Sequence, residues 1–321
     1  MKRLLLMLHE CDKDRRERIF DLCKGKMESV FTSEDDPDYP AYIKQAEAVF
    51  GEPSPEALAN AEALRWLQIS WAGADRFIPA VKGKENMTLT NASGAYGVTI
   101  AEHAIAMLLA LARRFPAYGR QQRQGIWQDL GAEWGLAGKT ALIFGVGDLG
   151  TQLALRLRPF GMKIVGLCRN ARTAQLPFDE LITMNDLDKA LPQADAIFGC
   201  LPGTPQTAGL LSLDRLNAMK ADAILINVGR GSLLRTDELA VVMEQGKLFG
   251  AGLDVTDEEP LPKEHPLWQM ENVILTPHVA GIAYGHLSAT CDYVWDLFID
   301  NLQRYLENQA LQNRVDLTEG Y

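Results

Sequence analysis

Cysteine, long apolar runs and blocks of basic residues are all scarce in this chain of 321 residues. Its five cysteines are odd in number and widely scattered, and no two of them form a Cys-x-x-Cys pair. This distribution argues against a disulfide framework and a zinc site and favours a reducing compartment, so we expect a cytoplasmic protein without a metal centre. No apolar stretch approaches the roughly 18 residues that a membrane span requires. The sequence therefore predicts no membrane partner.

Basic residues are also outnumbered. Lysine and arginine total 32 against 42 aspartates and glutamates, which gives a formal net charge of −10 without any dense basic segment. This balance argues against nucleic acid or an anionic lipid surface as the main partner. An anionic substrate would have to be bound by a local cationic site. The hydrophobic fraction of 47% and the length are sufficient for two globular domains.

Short apolar runs alternate with helical segments along most of the chain. In the first hundred residues the runs of strand length are Leu4–Leu8, Ser29–Thr32, Ala48–Phe50 and Leu64–Ile69. A second set comprises Thr140–Phe144, Lys163–Leu167, Ala196–Cys200, Ala223–Asn227, Gly250–Asp254 and Val273–Thr276. Such alternation is typical of parallel strands joined by helical crossovers. We therefore predict an α/β fold with two units, closed by an amphipathic helix over Ser288–Leu306.

A helix is predicted after Thr99, because Glu102 stands three residues later in the capping-box pattern and an Ala/Leu/Met-rich run follows to Arg114. Its apolar residues surround most of the helix. Two interpretations stay open: a helix in the core of one unit, and a helix at a domain or subunit interface.

A glycine pattern follows the predicted strand Thr140–Phe144 and opens a predicted helix over Thr151–Leu157. The segment 145–150 reads Gly-Val-Gly-Asp-Leu-Gly. Gly145 permits the tight turn, Gly147 lets the backbone approach a pyrophosphate, and Gly150 allows the helix and the strand to pack closely. The helix N-terminus then faces the phosphates. We therefore predict a dinucleotide site here.

The end of the next predicted strand distinguishes the two nicotinamide cofactors. A carboxylate about 20 residues beyond the glycines usually binds the adenosine ribose. Here the stretch 166–170 reads Gly-Leu-Cys-Arg-Asn and contains no carboxylate. Because Arg169 can pair with a 2′-phosphate, we predict NADP(H) in preference to NAD(H), which stays possible.

Three later segments lie near the ends of predicted strands, where open α/β sheets bind ligands. They are Asn-Val-Gly-Arg-Gly at 227–231, the stretch from Leu253 to Pro260, and Thr-Pro-His-Val-Ala-Gly at 276–281. Together they supply an arginine, a carboxylate and a histidine. Reduction of a 2-keto acid uses these groups: a guanidinium holds the substrate carboxylate and polarises the carbonyl, an imidazolium donates the proton, and a carboxylate orients that imidazole.

With these motifs in this order, the chain resembles the D-isomer-specific 2-hydroxyacid dehydrogenase family over nearly its whole length. Further matching pieces are Ala-Gly-Ala-Asp at 72–75, Ala-Glu-His at 101–103 and Leu-Pro-Gly-Thr-Pro-Gln-Thr at 201–207. Cys168-Arg169 and the segment 70–75 resemble the NADP-using glyoxylate/hydroxypyruvate reductase-like branch. The resemblance implies two domains, with a Rossmann dinucleotide-binding domain at 99–281 inserted into a flavodoxin-like substrate domain at 1–98 and 282–321. It also implies D stereochemistry and a homodimer built around the helix after Thr99.

The resemblance implies roles for individual residues. Arg230 binds the substrate, Glu259 is the acid partner, and His278 is the proton donor and acceptor. The backbone amides of Ala72 and Gly73 receive the substrate carboxylate. The expected cofactor-binding residues are Gly145, Gly147, Asp148, Leu149, Gly150, Arg169, Leu201, Pro202, Val228 and Asp254, the last of which holds the nicotinamide carboxamide.

The identity of the substrate is less constrained. Large side chains that could line the site are those of Trp71, Tyr96, Trp127, Tyr284 and His286, and they favour a small 2-keto acid such as glyoxylate or hydroxypyruvate. A medium apolar 2-keto acid is an alternative, because an apolar pocket gains about 0.8 kcal/mol for each buried methylene. A non-enzymatic dinucleotide-sensing protein is a third interpretation, although the chain has no basic tract to support it.

Overall fold

The computed structural model describes residues 2–7, 11–84, 86–131, 134–281 and 288–320. The chain divides into two compact units, one formed by Met1–Tyr96 with Ala283–Tyr321 and the other by Gly97–Ile282. Each unit contains a sheet of parallel strands with helices between them. The predicted α/β class is therefore confirmed. None of the helices in the described ranges is both long enough and apolar enough to span a bilayer.

The first unit has a flavodoxin-like sheet. Its strands are β1 (Lys2–Leu6), β2 (Met27–Phe31), β3 (Ala46–Phe50), β4 (Trp66–Gln68) and β5 (Thr88–Thr90). Its helices are α1 (Lys13–Cys23), α2 (Tyr39–Gln45), α3 (Pro55–Asn60), α4 (Ile78–Val81) and the C-terminal helix Ser288–Leu306. The strand order is β2-β1-β3-β4-β5 and every pair is parallel, which is the doubly wound order of flavodoxin-like folds.

Local sequence explains how these elements form and where they pack. Asp12 and Ser54 accept hydrogen bonds from the first turns of α1 and α3, as side chains at helix N-termini do. The C-terminal helix covers the sheet with aromatic side chains, and the Phe298 ring stacks on Phe50 at a centroid distance of 4.0 Å. Asn301 Nδ2 also donates to the buried Gln68 Oε1 at 2.9 Å, which fixes that helix against β4.

The second unit has the strand order of a Rossmann domain. Its strands are β6 (Thr140–Phe144), β7 (Lys163–Leu167), β8 (Glu180–Ile182), β9 (Ala196–Gly199), β10 (Ile224–Asn227), β11 (Gly250–Leu253) and β12 (Val273–Leu275). Its helices are α5 (Gly97–Ala112), α6 (Phe115–Gln124), α7 (Asp148–Leu157), α8 (Leu187–Ala190), α9 (Leu213–Ala218) and α10 (Thr236–Glu244). The order β12-β11-β10-β9-β6-β7-β8 is parallel throughout and reverses between β6 and β9, where such sheets bind nucleotides. The predicted fold class is confirmed in both units.

Helix α5 differs from its prediction at its start. It begins at Gly97, so Thr99 lies inside the first turn and the predicted capping box with Glu102 is wrong. The Gly97 N–H instead donates to the carboxylate of Asp148, a residue distant in sequence. The buried face of α5, which includes Ala104 and Leu108, packs on α7 and on the sheet of its own unit.

Candidate active site

The glycine turn between β6 and α7 fits a pyrophosphate. Gly145 has a φ of +104°, a conformation that favours glycine, and a Cβ at Gly150 would collide with the carbonyl oxygen of Gly145. Gly147 has nothing within 4 Å of its ideal Cβ position, so a ligand can approach its backbone. As the N-cap of α7, Gly147 has no side chain to satisfy the first-turn N–H groups. These N–H groups are then oriented for an anion, as in dinucleotide-binding turns.

Asp148 and Leu149 form the first turn of α7. The Asp148 carboxylate is turned to the Gly97 N–H, so only its backbone is suited to bind a phosphate. Burial raises the pKa of Asp148, and the hydrogen bond from Gly97 offsets this effect only in part. The sequence pattern gave no sign of this contact.

Four other predicted cofactor residues follow three strands of the same sheet. Arg169 stands just after β7 with an exposed side chain, and Leu201 and Pro202 follow β9. Val228 follows β10 and is buried, with its N–H bonded to Gly199 O at 3.1 Å. All four therefore lie at the carboxyl edge of one sheet, which is the edge where ligands bind in doubly wound folds.

Glu259 and His278 form a hydrogen-bonded pair. His278 Nδ1 lies 2.9 Å from Glu259 Oε2, and the Thr256 N–H donates to Glu259 Oε1 at 3.1 Å. His278 has a φ of 56°, and its own N–H donates to the Asp254 carbonyl at 2.8 Å. Because a carboxylate only accepts hydrogen bonds, Nδ1 carries the proton of this contact. The Nε2 atom of His278 is then the ring atom that can exchange a proton with a substrate.

The loop that carries His278 is held by Asp254. This buried carboxylate accepts hydrogen bonds from the Val279 N–H at 2.9 Å on Oδ1 and from the Ala280 N–H at 2.9 Å on Oδ2. Thr276 Oγ1 donates to Oδ1 at 2.5 Å. Asp254 thus fixes the chain on both sides of His278, a function that the sequence did not indicate. Its predicted contact with a nicotinamide stays a prediction.

Arg230 follows β10 in a turn that Asn227 shapes. The buried Asn227 side chain donates from Nδ2 to the Arg230 carbonyl at 3.0 Å and accepts at Oδ1 from the Gly229 N–H at 3.3 Å. The next residue, Gly231, lies against the Thr256 carbonyl so closely that a Cβ would collide with it. The Arg230 loop therefore contacts the loop that anchors Glu259. Contact of the Arg230 guanidinium itself with a substrate stays a prediction.

Two polar residues near His278 had no predicted role. His103 Nε2, on α5, lies 3.1 Å from Thr276 Oγ1 and 3.8 Å from Asp254 Oδ1. Thr276 therefore links this histidine to the carboxylate that holds the His278 loop. Both belong to motifs of the family pattern, Ala-Glu-His and Thr-Pro-His, and that membership was the available signal.

Ala72 and Gly73 belong to the first unit, in the loop after β4. The Ala72 carbonyl accepts a hydrogen bond from Asn91 Nδ2 at 2.7 Å, and both residues are half-buried. Of the large side chains predicted to line the site, Trp71 and Trp127 are exposed and Tyr96 is buried. Tyr284 and His286 lie outside the described residues. Within the described ranges, no cluster of three or more histidine, cysteine or acidic residues could hold a metal ion.

Comparisons with known proteins agree with this architecture. Residues 105–280 match the sequence model of the D-isomer specific 2-hydroxyacid dehydrogenase, NAD binding domain. Glyoxylate/hydroxypyruvate reductase A of Photorhabdus laumondii is 29% identical over 85% of this chain and 87% of its own length. Glyoxylate reductase of Thermococcus litoralis is 34% identical over 71% of each chain. A D-isomer specific 2-hydroxyacid dehydrogenase family protein of Aeromonas salmonicida has a solved structure that superposes with a TM-score of 0.82, at 32% identity over 98% of this chain and 99% of that one. The chain belongs to the D-isomer specific 2-hydroxyacid dehydrogenase family, whose members are NAD(P)-binding oxidoreductases.

Proposed function

We propose that the protein reduces a small 2-keto acid, of the size of glyoxylate or hydroxypyruvate, to the D-2-hydroxy acid and uses NADPH in preference to NADH. The observation that carries the proposal is the 2.9 Å contact between His278 Nδ1 and Glu259 Oε2, in a unit whose sheet also presents a dinucleotide turn. The relatives named glyoxylate reductase and glyoxylate/hydroxypyruvate reductase A support the substrate class.

His278 is the proton donor in this proposal. The reduced nicotinamide, when bound, supplies the hydride. As the carbonyl oxygen of the keto acid becomes a hydroxyl, His278 Nε2 donates the proton to it. Glu259 holds Nδ1, which fixes the orientation of the ring and leaves Nε2 for the substrate. In the reverse direction the same Nε2 atom accepts the proton.

Three further residues bind the substrate in the proposal. The guanidinium of Arg230 pairs with the carboxylate and polarises the carbonyl, a charge interaction suited to a planar two-oxygen anion. The backbone N–H groups of Ala72 and Gly73 receive the carboxylate oxygens. A protein with a net charge of −10 needs such local donors to hold an anionic substrate.

Steady-state kinetics on a panel of 2-keto acids tests the catalytic assignment. His278→Ala should lower kcat by about 10²–10⁴-fold, because it removes a proton transfer. Glu259→Gln should lower kcat as well, whereas Glu258→Gln is the matched control, since the Glu258 side chain is exposed beside Glu259 without its contact to His278. Arg230→Ala should raise KM and lower kcat together. Full activity of the His278→Ala protein would contradict the assignment.

The preference for NADPH rests on Arg169, at the end of β7 in a segment without a carboxylate. Arg169→Ala should reduce kcat/KM for NADPH by about 10-fold or more and leave that for NADH unchanged, because the 2′-phosphate is the sole difference between the nucleotides. NADH serves as the internal control. A wild-type enzyme that is faster with NADH would exclude the NADPH preference.

The same panel of keto acids separates the substrate alternatives. If the true substrate carries a medium apolar chain, kcat/KM should rise about fourfold with each added methylene, corresponding to about 0.8 kcal/mol of burial. If the side chain must be small, kcat/KM should fall with the first additions. A complete absence of turnover, with tight NADPH binding, would favour a nucleotide-sensing protein.

We also propose that 1–98 with 282–321 form the substrate domain and 99–281 the cofactor domain of a cytoplasmic homodimer. Helix α6 has no buried residue in the single chain. Its first residue, Phe115, is 62% exposed, and Trp127, shortly after the helix, is fully exposed. Apolar surface of this kind is typical of an interface. Sedimentation velocity should give a dimer, and Trp127→Ala should weaken its association. The control is Trp268→Ala, which replaces a half-exposed tryptophan elsewhere in the same unit and should leave the dimer unchanged.

A further inference from the structure

In the loop after β4, three consecutive peptide carbonyls accept hydrogen bonds from one and the same segment of the chain. The Ser70 carbonyl accepts from Tyr96 Oη at 2.7 Å, and the Trp71 carbonyl accepts from the Ala92 N–H at 2.9 Å. The Ala72 carbonyl accepts from Asn91 Nδ2 at 2.7 Å. All three donors belong to the segment 91–96 that follows β5. The chain bends at residues 70–72, which allows the three neighbouring carbonyls to face the segment 91–96.

The orientation of the carbonyls determines that of the amides. None of the peptide bonds in this loop is among the cis bonds of the described chain, and in a trans peptide the carbonyl of one residue points opposite to the N–H of the next. The N–H groups of Trp71, Ala72 and Gly73 therefore point away from the segment 91–96. Within the described residues these three N–H groups have no hydrogen-bond acceptor. Successive N–H groups in a bent segment form a concave binding site for an anion.

The start of the loop is fixed as well. Glu52 Oε1 accepts from both the Ser70 N–H and Ser70 Oγ at 2.7 Å. Tyr96 is 7% exposed, and its hydroxyl donates to the Ser70 carbonyl, so Ser70 is held at its carbonyl as well as at its N–H. Two of the three donors are side chains, those of Tyr96 and Asn91. Removing either side-chain donor should therefore free the peptide plane that it holds to rotate.

We propose that Tyr96 and Asn91 are positioning residues that align a row of three backbone N–H groups, those of Trp71, Ala72 and Gly73, for the carboxylate of the substrate. The proposal rests on the 2-keto acid reductase function above and adds the third donor and the residues that orient the row. Two carboxylate oxygens can each accept more than one hydrogen bond, so three donors can be used at once. Tyr96 and Asn91 do not touch the substrate.

Kinetics and a non-reacting ligand test the positioning role. Tyr96→Phe and Asn91→Ala should each raise KM for the keto acid and the dissociation constant of oxalate by about tenfold, the effect of losing one hydrogen bond of ordinary strength. The dissociation constant of NADPH should not change. Matched controls in the same unit are Tyr39→Phe, whose hydroxyl lies 3.6 Å from the Met7 sulfur, and Asn60→Ala, whose amide donates to Glu56 O. Both controls should keep the wild-type KM.

Amide chemical shifts provide a readout that does not depend on turnover. Oxalate should shift the Trp71, Ala72 and Gly73 N–H resonances of the wild-type protein, and Tyr96→Phe should weaken these shifts. Unchanged KM and oxalate affinity in both variants, with an active wild type, would overturn the positioning role. A Trp71 resonance that does not respond to oxalate would overturn the third donor. If the wild type binds oxalate at all three amides but reduces no keto acid, the proposed function fails and the anion site remains.

Discussion

Replacement of Asp254 by asparagine tests how the His278 loop is held. The two carboxylate oxygens accept from two different backbone groups, Oδ1 from the Val279 N–H and Oδ2 from the Ala280 N–H, each at 2.9 Å. An asparagine amide has one oxygen and one NH₂ group. Whichever way the amide is turned, it directs a donor at one of the two N–H groups. At least one of these hydrogen bonds must therefore be lost.

The expected magnitude follows from the charge of the acceptor. A hydrogen bond to a charged group contributes about 1.5–3 kcal/mol, so the loop should open on the order of 10- to 150-fold more often in the variant. Amide hydrogen exchange of Val279 and Ala280 should accelerate by that factor without cofactor or substrate present. Because His278 lies between Thr276 and Val279, kcat should also fall, on the order of 10²-fold, as proton transfer loses its geometry.

A second acid in the same unit provides the control for this measurement. Asp257 Oδ1 accepts from the Thr236 N–H at 3.2 Å and from Thr236 Oγ1, at the start of α10. Asp257→Asn changes an exposed carboxylate that, like Asp254, accepts from a backbone N–H and a threonine hydroxyl, and it should leave the exchange of Val279 and Ala280 unchanged. If those two amides exchange at the wild-type rate in Asp254→Asn, the loop is held by something else and the reasoning is refuted.

Three further predictions concern stability. Gly150→Ala should lower Tm sharply or prevent folding, because its Cβ would collide with the Gly145 carbonyl. Gly147→Ala should keep the wild-type Tm and weaken NADPH binding. Equal Tm values for the two variants would contradict this prediction. Burial opposes ionisation of Asp195, yet the hydrogen bond from Lys220 and a backbone N–H hold the pKa of Asp195 below its usual range. Its stabilisation is therefore present above the unfolded pKa of about 3.9 and lost as the pH falls through the folded pKa, so Asp195→Asn should cost about 1–3 kcal/mol at pH 7 in urea unfolding and nothing in strong acid. Burial raises the pKa of Glu52 more than its bonds to Ser70 lower it, so its contribution to stability is lost as the pH rises through the folded pKa. Glu52→Gln keeps an acceptor for Ser70 and should equal or exceed the wild-type stability in urea unfolding at pH 7–8. A less stable variant at that pH would be contrary evidence.

Local sequence predicted the elements that have a clear apolar pattern of their own. The predicted bounds of β6, β7 and the C-terminal helix agree with the structure. The strands β5 and β8 were not predicted, because each is only three residues long and carries polar residues such as Thr88 and Glu180. Short edge strands form because they pair with a neighbouring strand, and the residues of the short segment alone do not indicate that pairing.

The start of α5 was mispredicted for a related reason. The sequence pattern placed the cap at Thr99, within the same segment, whereas the group that receives the Gly97 N–H is the carboxylate of Asp148 on α7. The contacts of Asp254 and His103 also join separate segments: Asp254 bonds residues 22 to 26 positions away, and His103 and Thr276 are separated by 173 positions. Side chains that support a site through such contacts are found only when the fold is known.

The candidate catalytic residues could be predicted because the sheet order brings their loops together. Arg230, Glu259 and His278 follow β10, β11 and β12, which are consecutive in the sheet as well as in the chain. Parallel neighbours lie about 4.8 Å apart, so the first and third of these loops start roughly 10 Å from each other. The contacts between Gly231 and Thr256, and between Glu259 and His278, show that these adjacent loops meet in pairs. An insertion that separates β11 from β12 should therefore abolish the Glu259–His278 contact and the activity together, even when both residues are retained.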